Sequence, residues 1–310
     1  MKIIFMGTPD FAANHLEEII KNGYEVVGVF SQPDKPKGRG KKIIPTSVKL
    51  VAEKYNIPVF QPKSVNKKVG FEMLQSLKGD IIITVAYGKI LKKKVIDLPP
   101  LGCYNVHASI LPYYRGAAPI QRTLLNGERE SGITIFKIDE GMDTGETVLE
   151  KRVSINPEDT YGSLSKKLME TGKELIIEFL DKMEKNDLTF KEQDHSKATY
   201  AEKIGEEDLL IHNYFSWFEV YNKIRAFDPE PGVKTFFNDK KVKLYGALPG
   251  TEHKIGEEGE VVNITKKFME VQCGDGTVRI EKIQFPGKKI ITPWQAKSGR
   301  LIKIGDILGG

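Results

Sequence analysis

Cysteine is nearly absent. The 310 residues hold two, Cys103 and Cys273, far apart in the chain. That excludes a disulfide framework and a cysteine-based metal site, and both thiols are expected to be reduced. No apolar run approaches the roughly 20 residues that span a membrane. The stretch from Met1 to Gly7 is too short for a signal-peptide core and lacks a small-residue cleavage pattern, so residence in the cytoplasm is expected. Internal repeats and low-complexity tracts are missing. So is the Gly-x-Gly-x-x-Gly pattern after the first expected strand. Pro9 and Ala12 stand where its second and third glycines would be, and Pro9 lacks an N–H that a pyrophosphate would use. No nucleotide cofactor is expected there. Charge of one sign is also not in great excess. The net charge is +5, a mild bias towards acidic partners. Residues 206–310 carry 16 Lys and Arg against 15 Asp and Glu, so the C-terminal part is not a strongly basic module.

The length suits two domains. Residues 2–6 read as a strand ending at Gly7, and residues 10–21 as a helix with Asp10 as its N-cap. Residues 25–30 are apolar and β-branched, a buried strand. Residues 31–45, with three prolines and two glycines, read as a loop. Helices are expected over 46–55 (capped by Thr46), 66–77, 91–97, 119–126 and 160–185. Strands are expected over 57–60, 80–87, 102–109, 132–138 and 147–155. This rhythm predicts an α/β domain with a largely parallel sheet, whose ligands lie beyond the carboxyl ends of the strands. Residues 186–197 are polar and read as a linker. One helix at 214–226 follows. Short segments at 233–238, 241–247, 259–265, 268–272, 277–284 and 301–307 then imply a small all-β barrel or sandwich.

The chemistry-bearing residues gather at one strand. Asn105 and His107 are two apart, so both side chains point to the same side of a sheet, just before a Pro/Gly-rich loop. Asp143 lies in Gly141-Met-Asp-Thr-Gly145. An amide donates to a developing oxyanion, an imidazole moves or stabilises charge near neutral pH, and a carboxylate orients the imidazole or takes a proton. The set suits attack on a carbonyl. The plainer alternative is a packed histidine and an aspartate that builds a turn.

Two loops add to this. Lys35, Lys37, Arg39, Lys41 and Lys42 crowd into eight residues, with Asp34 beside them and Gly38 and Gly40 around Arg39. The cluster is either a solvated loop or a mobile contact for a phosphate-bearing substrate. Tyr113-Tyr-Arg115-Gly-Ala-Ala-Pro119 is either a packed connection or a wall for a flat ligand, with Arg115 for an acidic group.

Taken together, these motifs resemble the folate-dependent formyltransferases. The resemblance rests on Asn105-Val-His107-Ala-Ser109-Ile-Leu-Pro112, Tyr114-Arg115-Gly-Ala-Ala-Pro119-Ile and Gly141-Met-Asp143-Thr-Gly145. It extends to Gly7-Thr-Pro-Asp-Phe11, Gly38-Arg39-Gly-Lys-Lys42, Val85-Ala-Tyr-Gly88 and Ile224-Arg-Ala-Phe227, essentially the whole chain. Ile110 departs from the leucine usual at its position, a volume-conserving swap. The Asn-x-His plus Asp set is shared across the family. The glycine-flanked basic loop and the C-terminal β region resemble the branch that formylates charged tRNA.

The resemblance implies a Rossmann-like formyltransferase domain over 1–189, a linker over 190–205 and a C-terminal barrel resembling an OB fold over 206–310. It implies catalytic roles for Asn105, His107 and Asp143, with Asp143 holding His107 in place. Folate contacts are implied at Val85, Ala86, Tyr87, Gly88, Ser109, Ile110, Leu111, Pro112 and Asp139, and tRNA contacts at Lys37, Arg39, Lys41 and Lys42. The implied reaction moves the formyl group of 10-formyltetrahydrofolate to the α-amino group of methionine on initiator tRNA, by a monomer, without metal or membrane. Competing readings are a formyltransferase for an amino-sugar nucleotide or other small amine, a formyltetrahydrofolate hydrolase, and a non-catalytic tRNA-binding protein. The basic loop and the β region argue against a small acceptor, which needs neither.

Overall fold

The computed structural model describes residues 1–37 and 42–309, the side chains of Lys37 and Lys42 excepted. The expected tRNA contacts at Arg39 and Lys41, and through the side chains of Lys37 and Lys42, therefore lie outside the described residues. Strands in chain order are β1 (Lys2–Gly7), β2 (Glu25–Phe30), β3 (Lys35–Lys37), β4 (Lys42–Ile44), β5 (Val59–Phe60), β6 (Ile81–Val85), β7 (Cys103–His107), β8 (Arg115–Gly116), β9 (Glu130–Lys137), β10 (Thr147–Ser154) and β11 (Tyr200–Ala201). The later strands are β12 (Val233–Phe237), β13 (Lys240–Pro249), β14 (Val261–Ile264), β15 (Met269–Cys273), β16 (Gly276–Gln284) and β17 (Ile290–Ile291). Helices are α1 (Asp10–Lys21), α2 (Ser47–Lys54), α3 (Lys68–Ser76), α4 (Lys93–Ile96), α5 (Pro119–Leu125), α6 (Tyr161–Glu184), α7 (Trp217–Ala226) and α8 (Pro293–Ser298).

The chain divides into two compact units. The first comprises Met1–Pro119, Ser131–Val153 and Lys166–Ala201, and the second Ile120–Glu130, Ser154–Ser165 and Glu202–Gly310. Among the described residues the first is built on a seven-stranded sheet of order β10-β9-β7-β6-β1-β2-β5. β5, β2, β1, β6 and β7 run parallel, and β9 runs antiparallel to β7. The apolar runs Ile3–Met6 and Ile81–Ile83 are buried on both faces, which is why they lack alternation. α2 starts as its sequence suggests, with Thr46 Oγ1 accepting from the Lys49 amide. Asp10, in contrast, does not cap α1. Pro9 occupies the cap position, and Asp10 is the first helical residue, where its charge complements the helix dipole. Residues 31–45 are not all loop, because β3 and β4 pair as a short antiparallel hairpin.

The second unit carries the antiparallel sheet β12-β13-β16-β15-β14, with β17 on β16. Strand pairing alternates inward residues, as in β12, where Val233, Thr235 and Phe237 are buried. The strand expected near 301–307 reduces to one bridge, between Glu260 and Ile307. α8 precedes it, closed by a capping box in which Thr292 and Gln295 bond each other's backbone.

One buried group in the first unit sets an acid-stability expectation. His15 on α1 is fully buried, with Nδ1 2.7 Å from Phe11 O and Nε2 unpartnered. Burial, with a smaller push from Lys173, lowers its pKa from 6.5 to about 4. The unfolded chain thus binds a proton near pH 6.5 that the folded chain refuses until about pH 4. Stability is lost as the pH falls through this window, by about 3 kcal/mol in all, and no further below it. Urea denaturation at pH 7 and 4.5 should show a smaller acid loss in His15→Gln than in the parent. Equal losses would assign the acid sensitivity elsewhere.

Candidate active site

Strand register brings the expected residues to one edge of the first unit. Gly7 pairs with Val85, Thr84 with Asn105 and His107 with Thr134, so the carboxyl ends of β1, β6 and β7 lie side by side. Asn105 and His107 share a face of β7 by strand alternation. Thr84 Oγ1 donates to Asn105 Oδ1 at 2.7 Å. Fixing Oδ1 this way aims Nδ2 and its two hydrogens elsewhere, and Nδ2 has no protein partner among the described residues. Asn105 therefore presents a free donor. Thr84, which sets that orientation, escaped the sequence reading. Its one signal is a hydroxyl within an otherwise aliphatic strand, Ile81-Ile-Ile-Thr84-Val85.

His107 is 5% exposed, with Nε2 2.9 Å from Tyr114 O. A carbonyl oxygen only accepts, so Nε2 carries the hydrogen in that contact. Nδ1 then faces Asp143 Oδ2 at 3.8 Å, a charge contact too long for a hydrogen bond. The expectation that Asp143 holds the ring is thus corrected: Tyr114 O holds it. Asp143 is itself held, its Oδ2 accepting from the Gly116 amide at 2.8 Å. Two glycines permit this packing. A Cβ on Gly116, whose φ is +121°, would sit 2.8 Å from Ala201 O, and one on Gly145 would sit 1.8 Å from Lys137 O.

The other expected residues fall into three groups. Val85 ends β6, and Ala86 (φ +45°), Tyr87 and Gly88 (φ +72°) form the turn after it, at the same sheet edge. Tyr87 O accepts from Gln32 Nε2 at 3.0 Å, which fixes the turn. Ser109, Ile110 and Leu111 are buried, and Ser109 Oγ donates to Tyr113 O at 2.6 Å, closing its own turn. Pro112 follows a cis bond. Asp139 is exposed and shapes its loop by accepting from Gly141 N at 3.0 Å and Thr144 Oγ1 at 2.6 Å. It lines a surface cleft with Lys93, Asp97 and Lys137.

Arg115 is not placed for an acidic ligand. It is 2% exposed, and its guanidinium donates to Gln193 and His195. Gln193 also corrects the reading of 186–197 as a linker, since it is buried within the first unit. Asp34, the acid beside the basic cluster, is committed to the hairpin's base. Gln61 Nε2 and Lys49 Nζ, each 2.7 Å away, hold its carboxyl below the usual range. Burial pushes the thiols of Cys103 and Cys273 up to about 12, so neither is a nucleophile at neutral pH. Among the described residues, no group of three or more His, Cys, Asp or Glu could hold a metal. No described helix is long and apolar enough to cross a membrane.

A donor amide, an imidazole and a carboxylate at one sheet edge suit acyl transfer, and comparison with known proteins agrees. The formyl transferase family matches residues 1–180, and the formyl transferase C-terminal domain matches residues 203–301. A methionyl-tRNA formyltransferase of Kosmotoga olearia is 61% identical over 311 residues, covering 100% of both chains. One from Thermotoga maritima is 50% identical over 302 residues, covering 97% of this chain and 96% of its own. Among solved structures, an N-formyltransferase from Helicobacter canadensis, in complex with folinic acid and dTDP-3-aminofucose, superposes with a TM-score of 0.67. It covers 91% of this chain and 99% of its own, at 23% identity, and so shares the fold. Family matches on both parts of the chain and relatives alike from end to end lead to one conclusion: the chain belongs to the formyl transferase family.

Proposed function

We propose that this protein formylates initiator tRNA: it transfers the formyl group of 10-formyltetrahydrofolate to the α-amino group of esterified methionine. The observation that carries this is the 61% identity, over the whole of both chains, to a methionyl-tRNA formyltransferase. The chemistry follows from the site. The neutral amine attacks the formyl carbon, and the C=O electrons move to oxygen. Asn105 Nδ2 donates to that oxyanion, as does His107 Nδ1 when the ring carries both protons. Asp143, with one oxygen held by Gly116, offers the other to the amine's proton. The oxyanion's electrons then re-form the C=O bond, and the bond from carbon to folate N10 breaks with its electron pair going to nitrogen. N10 takes up the proton that Asp143 received, and the formyl amide remains on methionine.

We assign the folate to the turn 85–88 and the segment 109–112, with Asp139 as a further contact. Residues 206–310 and the basic segment with Lys37, Arg39, Lys41 and Lys42 are assigned to the tRNA. A single copy suffices, because Asn105, His107 and Asp143 come from one chain. Work on charged tRNA places the protein in the cytoplasm.

Acceptor competition tests the reading. With 10-formyltetrahydrofolate as donor, charged initiator tRNA should be formylated at least about 10³-fold more efficiently than free methionine or an amino-sugar nucleotide, since lost binding energy is also lost rate. An amino sugar used as well as the tRNA would transfer the assignment to the small-acceptor branch.

A further inference from the structure

Gln193 lies in a stretch whose composition suggests a tether, yet it is 7% exposed and its amide is fully engaged. Oε1 accepts from Arg115 Nε at 3.1 Å and from Arg115 Nη2 at 2.6 Å. Nε2 donates to Asp143 O at 2.9 Å and to Gly145 O at 2.7 Å. Two N–H groups and two lone pairs exhaust a primary amide, so its orientation is set. Arg115 has no carboxylate within ion-pair distance among the described residues. Its acceptors are Gln193 Oε1 and His195 Nδ1, the latter at 3.0 Å. A buried guanidinium without these would be left costly and unpaired.

The backbone that Gln193 grips is unusual. Asp143 sits at φ +55°, a left-handed conformation that is uncommon outside glycine, though aspartate adopts it more readily than most residues. Two bonds from one amide straddle the turn Asp143-Thr144-Gly145, while the Gly116 amide holds the carboxylate. The same stretch braces the loop that bears His107's partner, since Thr199 Oγ1 accepts from the Tyr114 amide at 2.8 Å.

We propose that Gln193 is a positioning residue: anchored on Arg115, it holds Asp143 in the left-handed conformation that presents its carboxylate to His107. This rests on the reading above, in which Asp143 takes part in formyl transfer.

Two variants of the full chain test it. Gln193→Met keeps the volume and loses all four hydrogen bonds. Gln193→Glu keeps the acceptor for Arg115, now as an ion pair, but has no hydrogen to give the Asp143 and Gly145 carbonyls. Both should lower kcat at least about fivefold, while KM for 10-formyltetrahydrofolate and for charged tRNA stays within about twofold, because misplacing a catalytic group acts on the chemical step. The Glu variant should remain folded. Wild-type kcat in a folded Gln193→Glu overturns the proposal. So does a raised KM with unchanged kcat, or a Gln193→Glu that fails to fold, since the contact would then serve binding or the fold alone. Absence of transfer by the wild-type chain in the same assay would instead reject the function on which the proposal stands.

Discussion

Asn105→Ala is expected to lower the turnover of formyl transfer by about 10²–10³-fold, the usual cost of one oxyanion donor. Donor affinity should stay within about twofold, because the lost contact strengthens only in the transition state. The geometry gives the reason. Thr84 holds Oδ1, so in the proposed reaction the Asn105 amide meets the oxyanion with an orientation already set. His107→Ala and Asp143→Ala should be at least as severe. Tyr114 O accepts the hydrogen bond from Nε2, which in the proposed reaction leaves Nδ1, the atom that faces Asp143, for the chemistry. The two act as a unit, and the double variant should be scarcely worse than either single one. Steady-state kinetics with both substrates varied reads all of this. Near-normal turnover in an Asn105→Ala, His107→Ala double variant would mean that the reaction occurs elsewhere.

Arg39→Ala is expected to weaken use of charged tRNA by at least about tenfold, with folate affinity within about twofold and Arg39→Lys intermediate, since lysine cannot grip a phosphate with two parallel bonds. Two observations support the site. β2 leads to the hairpin from the same carboxyl end of the sheet that carries Asn105, by way of Gln32 and Asp34. Asp34, the acid beside the cluster in sequence, is already engaged by Gln61 and Lys49. A phosphate contact also releases counterions, so the advantage of wild type over Arg39→Ala should shrink as ionic strength rises. Wild-type kinetics of Arg39→Ala at low salt would make Arg39 one more solvated charge.

Local signals carried much of the fold. α1 and β2 begin and end where the apolar spacing places them, and Thr46 caps α2 through the hydroxyl that marked it. The hairpin of β3 and β4 stayed hidden because its prolines and glycines read as breakers, and pairing across a turn leaves no period in so short a run. α8 was legible in principle, since Thr292-Pro-Trp-Gln295 spells a capping box with proline at the first turn. The shared face of Asn105 and His107 was legible because i, i+2 spacing on a strand is a geometric statement. Their supports were not. Thr84 and Gln193 act across 21 and 50 residues of chain, and a polar side chain buried to satisfy a distant carbonyl has no periodic signature. For the same reason the sequence left the Arg115 loop open between a packed connection and a ligand wall, and the structure has a buried anchor there.

The most direct measurement of the central claim follows the formyl carbon. 10-Formyltetrahydrofolate labelled at that carbon is mixed with charged initiator tRNA and excess wild-type protein for a single turnover. The ester is then hydrolysed and the label located. The account requires the label on the nitrogen of methionine, as N-formylmethionine, in step with the appearance of tetrahydrofolate. Label released as formate would make water the acceptor, and label left on the folate would mean that Asn105, His107 and Asp143 form no formyl-transfer site at all.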